Sequence, residues 1–289
     1  GAVLVISAAE GIQAHTGTLW NALRVRNIPV VLFVNKIDRM GADIENILHE
    51  ISKEWHLEPL CMQTVSNEGT TDATTVNLFS EENTAENLIE TIVSGDEILM
   101  DAYLEGAVPD FETLEKQLGQ MVSRCEFFPM LFGSARLNLG IEQLLDAMIK
   151  FLPAPNVDSD GVLRGRVFGV SYDKTMGKVA HVRLFGGSIS NREMIRNAIQ
   201  AVDEKVVQIR RMSGSRFDDM PQIFAGDIAG VCGFSSASVG DWLGESVSQL
   251  SDYKPLQMPL LTVRVKAVND KDYSALAAAL QQLNSEDPS

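Results

Sequence analysis

The hydrophobic positions of the chain fall into three successive patterns. From Gly1 to Phe151, short continuous apolar runs alternate with stretches in which apolar residues recur every three or four positions. The runs are Gly1 to Ala8, Pro29 to Val34 and Phe127 to Phe132. β-Branched and aromatic residues without polar alternation suit strands buried on both faces, which predicts a mostly parallel sheet covered by helices. The stretches between supply those helices. Residues 13–27 put Leu19 and Leu23 on one face with Trp20 beside them, and Gly41 opens an amphipathic segment carrying Ile44, Ile47, Leu48, Ile51 and Trp55. Leu88 to Tyr103 keeps the helical period, while Asn67 to Ser80 is Thr-rich with turn residues. After Ala135, residues Ile141, Leu144, Leu145, Met148 and Leu152 share one side of a further helix. Pro153-Ala154-Pro155 stops it, and polar Asn156 to Gly161 reads as a domain linker.

From Leu163 the period becomes that of strands, with Ala180, Val182 and Leu184 alternating with His181, Arg183 and Phe185. Turn signals recur at Gly186-Gly187, Gly226-Asp227 and Gly240-Asp241, which predicts a closed antiparallel β-barrel. Gly177-Lys178 has the ending of a phosphate loop. Tyr172 stands where the first glycine is needed and Val179 where Ser or Thr is needed, so these residues are predicted to form a barrel turn. From Leu260 a strand, Leu261 to Val265, precedes a helix with Leu276, Leu280 and Leu283. The predicted fold class is therefore α/β, then an antiparallel barrel, then a short α+β stub, divided at 1–156, 157–250 and 251–289.

Candidate chemistry sits at two strand ends. The run Val30 to Val34 stops abruptly at Asn35-Lys36-Ile37-Asp38, and in parallel sheets ligands collect beyond the carboxyl ends of the strands. One carboxylate can accept both the ring N–H and the exocyclic amino group of guanine, a donor pair that adenine lacks. A buried carboxylate in that role rejects adenine because it is left unpaired. Asp38 is the candidate acceptor; Lys36 can lay its aliphatic stem along the base, and Asn35 can tie the loops together. The second end, Gly133-Ser134-Ala135, is small enough for backbone N–H groups to approach the base oxygen. Asn35, Lys36, Asp38, Gly133, Ser134 and Ala135 form the predicted guanine-nucleotide site.

The wording and order of several segments resemble translational GTPases of the elongation factor G class, and among them the tetracycline-resistance ribosomal protection proteins. The residues that carry the resemblance are Gly1 to Ala8, Gly11-Ile12-Gln13-Ala14, Asn35-Lys36-Ile37-Asp38, Phe128-Pro129 to Ala135, Ala225-Gly226-Asp227-Ile228 and Ser285-Glu286-Asp287-Pro288. It implies that the first unit is the second half of a P-loop-type G domain, the barrel a second domain and the stub the start of a third. By the same resemblance, the phosphate-binding loop, the switches and the Mg²⁺ ligands of the family precede Gly1. The expected ligands are then GTP and GDP, with no catalytic residue and no metal ligand in this stretch. The implied activity is GTP hydrolysis coupled to a rearrangement on the ribosome, of protection type or, alternatively, of translocase type. A scaffold that binds nucleotide without turnover is a third reading. Elongation factor G carries a large inserted subdomain between its two guanine-reading motifs; the interval here is shorter, nearer the protection-protein pattern. Because the neighbouring strand of the family's sheet lies in the preceding segment, residues 2–7 are expected to form an open edge able to pair with a second copy.

Composition changes this picture in two ways. Three scattered cysteines, Cys61, Cys125 and Cys232, show no metal-ligand spacing and suit reduced thiols in a cytoplasmic protein. No apolar run approaches the ~20 residues of a membrane helix, so no membrane partner is expected. The net charge of −15 argues against general nucleic-acid affinity. Yet residues 162–216 hold eleven Lys/Arg against four Asp/Glu, and Lys53 to Lys116 encloses no Lys or Arg. The basic stretch suits docking to ribosomal RNA, an ordinary solvated surface accounting for it equally well; the acidic one could meet a basic ribosomal protein, but a solvated face is the reading preferred there.

Overall fold

Val30 to Val34 has no polar position to turn toward water, so it can be satisfied only between two apolar layers, and that is where it lies. The computed structural model describes residues 1–58, 60–82, 84–154, 161–173, 175–214, 216–245 and 263–286. The chain divides into two units, Gly1–Ala154 and Pro155–Ser289.

The first unit runs β1 (Ala2–Ser7), α1 (Ala14–Val25), β2 (Val30–Asn35), α2 (Ile44–Trp55), β3 (Gln63–Ser66), β4 (Thr74–Asn77), α3 (Glu86–Val93), α4 (Glu97–Leu104), α5 (Phe111–Ser123), β5 (Met130–Phe132) and α6 (Ile141–Phe151). β1, β2 and β5 make a parallel sheet with β2 in the middle. Alternate residues of β2 enter opposite layers. Val30, Leu32 and Val34 pack with Ile47 and Ile51 of α2 and with Trp20 of α1, whose ring stacks on Trp55 at 4.5 Å. Val31 and Phe33 pack with Leu88, Leu114, Leu118 and Phe151, from α3, α5 and α6. Val30, Leu32, Val34 and their α2 partners are almost fully buried, and truncating such a side chain to alanine typically costs about 2–5 kcal/mol.

Two expectations are revised here. The helical period of Leu88 to Tyr103 is divided between α3 and α4 by Ser94-Gly95-Asp96, because the Asp96 carboxylate caps α4 by accepting from the Ile98 and Leu99 N–H groups. The Thr-rich stretch holds β4, which forms a hairpin with β3 in the register Gln63↔Asn77. Helix α5 was not expected; its signal was there, in Asp110 as N-cap with Leu114, Leu118 and Met121 buried at helical spacing.

The second unit is built from β6 (Arg164–Asp173), β7 (Gly177–Gly186), β8 (Ser188–Ser190), β9 (Met194–Asn197), β10 (Val202–Lys205), β11 (Gln208–Ser213), β12 (Arg216–Met220), β13 (Gln222–Phe224), β14 (Ile228–Cys232), β15 (Trp242–Gly244) and α7 (Tyr273–Glu286). Eight strands form one antiparallel sheet in the order β10-β9-β15-β6-β7-β14-β11-β12, and β8 with β13 forms a separate ribbon. Ala180, Val182 and Leu184 of β7, Ile189 of β8, Ile223 of β13 and Phe234 share one core. Gly177, at φ +72°, makes the turn into β7, so the Gly-Lys pair belongs to a hairpin. Residues 156–160 of the expected linker, and Leu261-Thr262 of the expected third-domain strand, lie outside the described residues. Val263 to Val265 joins no ladder, so the described part of that strand is absent. Val263 is 80% exposed, and no described strand lies alongside to take its backbone hydrogen bonds.

Asp241 is the most heavily loaded buried polar group of this unit. Its carboxylate, 4% exposed, accepts from Asn197 Nδ2 and the Ser238 N–H at 2.9 Å each and from Gln200 Nε2 at 3.2 Å. Asp241→Ala strands these donors and is expected to lower stability by about 2–4 kcal/mol. Urea unfolding followed through Trp242 fluorescence checks this; a shift below about 0.5 kcal/mol would mean that water replaces the carboxylate at little cost.

Candidate functional site

The parallel register brings the two polar strand ends together. Val34 stands opposite Phe132, so Asn35 to Asp38 emerges beside Gly133 to Ala135. Asn35 Oδ1 accepts from the N–H of its neighbour Lys36 at 2.8 Å and from the Ala135 N–H at 2.9 Å, across 100 residues of sequence. The Gly133 N–H donates to the Val34 carbonyl at 2.9 Å, and the Gly133 carbonyl accepts from the Ile37 N–H at 3.3 Å. Ile37 is fully buried and anchors the loop from below. Lys36 takes a left-handed backbone at φ +68° between the strand end and Asp38. Such a conformation in a non-glycine residue costs on the order of 1 kcal/mol and persists only where neighbours enforce it.

The glycines leave no slack. A Cβ on Gly133 would lie 2.3 Å from the Leu139 carbonyl oxygen and 2.8 Å from Phe33 Cζ, and one on Gly140, itself at φ +75°, would lie 2.3 Å from the Phe132 carbonyl. The Ser134 N–H donates to the Leu139 carbonyl at 3.0 Å, closing a tight loop above β5. The backbone N–H groups of Ser134 and Ala135, expected to face a base oxygen, are thus both engaged within the protein. Ser134 contributes through its side chain, whose hydroxyl is placed to favour the ionised Asp38 carboxylate and accepts from the Leu137 N–H at 3.3 Å.

Asp38 is 7% exposed. The Ser134 hydroxyl first, then the hydrogen bond and positive charge of Arg136, hold its carboxyl below the usual carboxylate range, while burial opposes them. Arg136 Nε and a terminal guanidinium nitrogen both donate to Asp38 Oδ2, at 3.1 and 2.9 Å. On the other side of the loop, Lys36 Nζ lies 3.1 Å and Arg39 3.6 Å from Glu10, just beyond β1. Arg136 and Glu10 were not singled out by sequence reasoning. Arg136 could have been found, since it directly follows Ser134-Ala135; Glu10 becomes relevant only through the β1–β2 pairing.

Because the folded pKa of Asp38 is depressed, its stabilising ionised form persists above the unfolded value and is lost only as pH falls through the folded one. Stability attributable to this site is therefore expected to stay flat from neutral pH to about pH 5 and to fall only below the ordinary carboxylate range. Carbon NMR titration of the Asp38 carboxyl, with an apparent pKa at or above the ordinary value, would contradict this.

Elsewhere among the described residues there is no group of three or more His, Cys, Asp or Glu suited to a metal ion, and no helix is long and apolar enough to cross a membrane. All three cysteines are free, and burial pushes the Cys61 thiol up to about 11. The basic stretch of the second unit is partly neutralised by folding: Arg196 pairs with Asp203, Arg210 with Asp219 and Arg211 with Asp227.

Comparison with known proteins places these features in a lineage. Residues 1–154 match the family model of the elongation factor Tu GTP binding domain, and residues 162–246 that of elongation factor G domain 2. Tetracycline resistance protein TetP of Clostridium perfringens is 33% identical over 288 residues, covering 100% of this chain and 44% of that protein. Elongation factor G 1 of Treponema denticola is 29% identical over 335 residues, covering 100% of this chain and 49% of that protein. The chain thus spans about half the length of these curated relatives. A crystal structure of a Thermus thermophilus protein superposes with a TM-score of 0.80 at 24% identity, over 98% of this chain and 46% of that one, which shows a shared fold.

Proposed function

Because the chain belongs to the elongation factor Tu GTP-binding domain family, within the translational GTPases of elongation factor G and TetP type, we propose that it is the guanine-reading and barrel portion of a cytoplasmic, ribosome-acting GTPase of the tetracycline-protection kind. The observation that carries the guanine reading is Asp38. It is a buried carboxylate at the carboxyl end of the central strand, and its loop is braced by Asn35 against Gly133-Ser134-Ala135. In this reading Asp38 accepts the guanine donor pair, Lys36 covers a face of the base, Asn35 and Ser134 fix the acceptor, and Gly133 lets the loop close tightly against Leu139 and Phe33. Hydrolysis of bound GTP would supply the energy for rearrangement on the ribosome; Mg²⁺ and the hydrolytic step are assigned to no residue here. We place the domain divisions at 156/157 and 250/251.

The lengths of the two alignments are what favours the protection type over the translocase type in this reading. The alignment with TetP runs over 288 positions, whereas that with the Treponema denticola factor runs over 335, at least 46 more than the 289 residues of this chain. A shorter interval between the two guanine-reading loops is what a protein without the large inserted subdomain would show. Adding the complete protein to reconstituted translation stalled by tetracycline tests the reading. Restored synthesis that depends on GTP supports it, whereas replacement of elongation factor G in translocation without tetracycline rescue would favour the translocase.

We also propose that β1 can accept a second copy. Among the described residues β2 is the only strand beside β1, whose end at Ser7 also bridges to Gly11, and Val5 on it is 52% exposed, so the row of backbone donors and acceptors before Ser7 stands open on one side. Light scattering over a dilution series of the 289-residue chain should show a concentration-dependent dimer; a monomer throughout overturns this.

A further inference from the structure

The Asp38 carboxylate is satisfied in a way that reading a base does not require. Arg136 leaves the loop directly after Ser134-Ala135 and turns back, so that two of its guanidinium nitrogens reach the same oxygen, Oδ2, at 3.1 and 2.9 Å. The partners differ sharply in environment. The Arg136 side chain is 69% exposed and that of Asp38 5%. A carboxylate this buried must keep a donor partner at all times, since an unpaired charge away from water is strongly unfavourable. The other nearby cations are committed elsewhere, Lys36 and Arg39 both to Glu10.

A guanidinium presents two coplanar N–H donors side by side, and so does the N1–H and exocyclic amino edge of guanine. We propose that Arg136 is a resident mimic of that edge, a latch that holds the Asp38 carboxylate until guanine displaces it. This rests on reading Asp38 as the guanine acceptor. The arrangement has two consequences. The site keeps its buried charge paired throughout, so the loop geometry set by Asn35 and Gly133 need not rearrange between states. A base must also bring a donor pair at least as good as the guanidinium, so adenine, which has none, cannot open the latch. Arg136 is thereby a specificity-determining residue that acts by competition. Its high exposure makes displacement cheap, because the side chain swings into solvent without breaking any packed layer.

The test uses stopped-flow association and dissociation of a fluorescent GDP with the wild-type chain, Arg136→Ala and Arg136→Lys, with ADP as competitor. Removing a charge-assisted but solvent-exposed pair is expected to raise the association rate and affinity about fivefold and to leave dissociation unchanged. Arg136→Lys, which keeps the charge without the fork, should fall between and guards against a loss of folding in the alanine variant. The Nε–H NMR signal of Arg136 should move to a solvent-like position on adding GDP and stay in place with ADP. An unchanged association rate, or faster dissociation in Arg136→Ala, overturns the latch and leaves the guanine reading standing. Equal binding of GDP and ADP by the wild-type chain overturns the guanine reading itself.

Discussion

Asp38→Asn is expected to reverse the base preference of the site from guanine to xanthine. In the proposed reading the buried wild-type carboxylate accepts from the two donors of guanine. The amide replaces one acceptor with a donor, which suits the xanthine carbonyl and opposes the guanine amino group. Polar sites of this kind discriminate by about 10⁴ because the wrong base leaves a buried group unpaired. The ratio of GDP to XDP affinity should therefore change by roughly 10³–10⁴, whatever the absolute affinity of the chain. The surroundings favour a clean exchange. Asn35 and Gly133 fix the loop through backbone contacts that do not involve the Asp38 side chain. The Ser134 hydroxyl, which favours the carboxylate in the wild type, can donate to an amide oxygen as well. Competition calorimetry with both nucleotides measures the ratio. An unchanged ratio would remove Asp38 from base reading and with it the main support for the proposed function.

Gly133→Val should be the most damaging single change to the first unit. The added Cβ would lie 2.3 Å from the Leu139 carbonyl oxygen, which accepts from the Ser134 N–H, and 2.8 Å from the Phe33 ring, itself packed with Leu114 and Leu118 of α5. Neither neighbour is the free end of a flexible chain, so β5 or its loop must shift. Overpacking of this kind costs about 1–3 kcal/mol by itself, and loss of the loop hydrogen bonds raises the total to roughly 3–5 kcal/mol. Gly17 in α1 is the control, since a Cβ there meets nothing within 4 Å. Gly17→Ala should be neutral or stabilising by about 0.5–1 kcal/mol. Parallel urea melts of the two variants decide the matter; equal midpoints would mean that the strand-end loop yields where the packing says it is rigid.

The hydrophobic pattern determined the main lines of this protein because burial on both faces leaves no other arrangement for runs such as Val30 to Val34. It located β1, β2, β5 and the helices α1, α2 and α6, and it announced the barrel through the change from helical to alternating period after Leu163. It also located the two strand ends that carry the candidate residues, since a run of apolar residues that stops at polar ones marks a strand end. Segments whose boundaries depend on a cap were read less well. Leu88 to Tyr103 has one continuous period, and only the Asp96 carboxylate, bonded to two N–H groups, ends one helix and starts the next.

What tertiary structure alone decided are the pairings between distant residues. Asn35 and Ala135 are 100 positions apart and Asp38 and Arg136 98, and nothing in local spacing says which group each carboxylate or amide will meet. The sheet register does, by setting Val34 opposite Phe132. The same holds for the basic stretch of the barrel, where Asp219 and Asp227, which lie outside residues 162–216, are brought onto Arg210 and Arg211. Apolar burial is non-directional and additive along the chain, so a one-dimensional pattern records it. Hydrogen bonds and ion pairs need a partner at a fixed distance and angle, and those are properties of the folded chain.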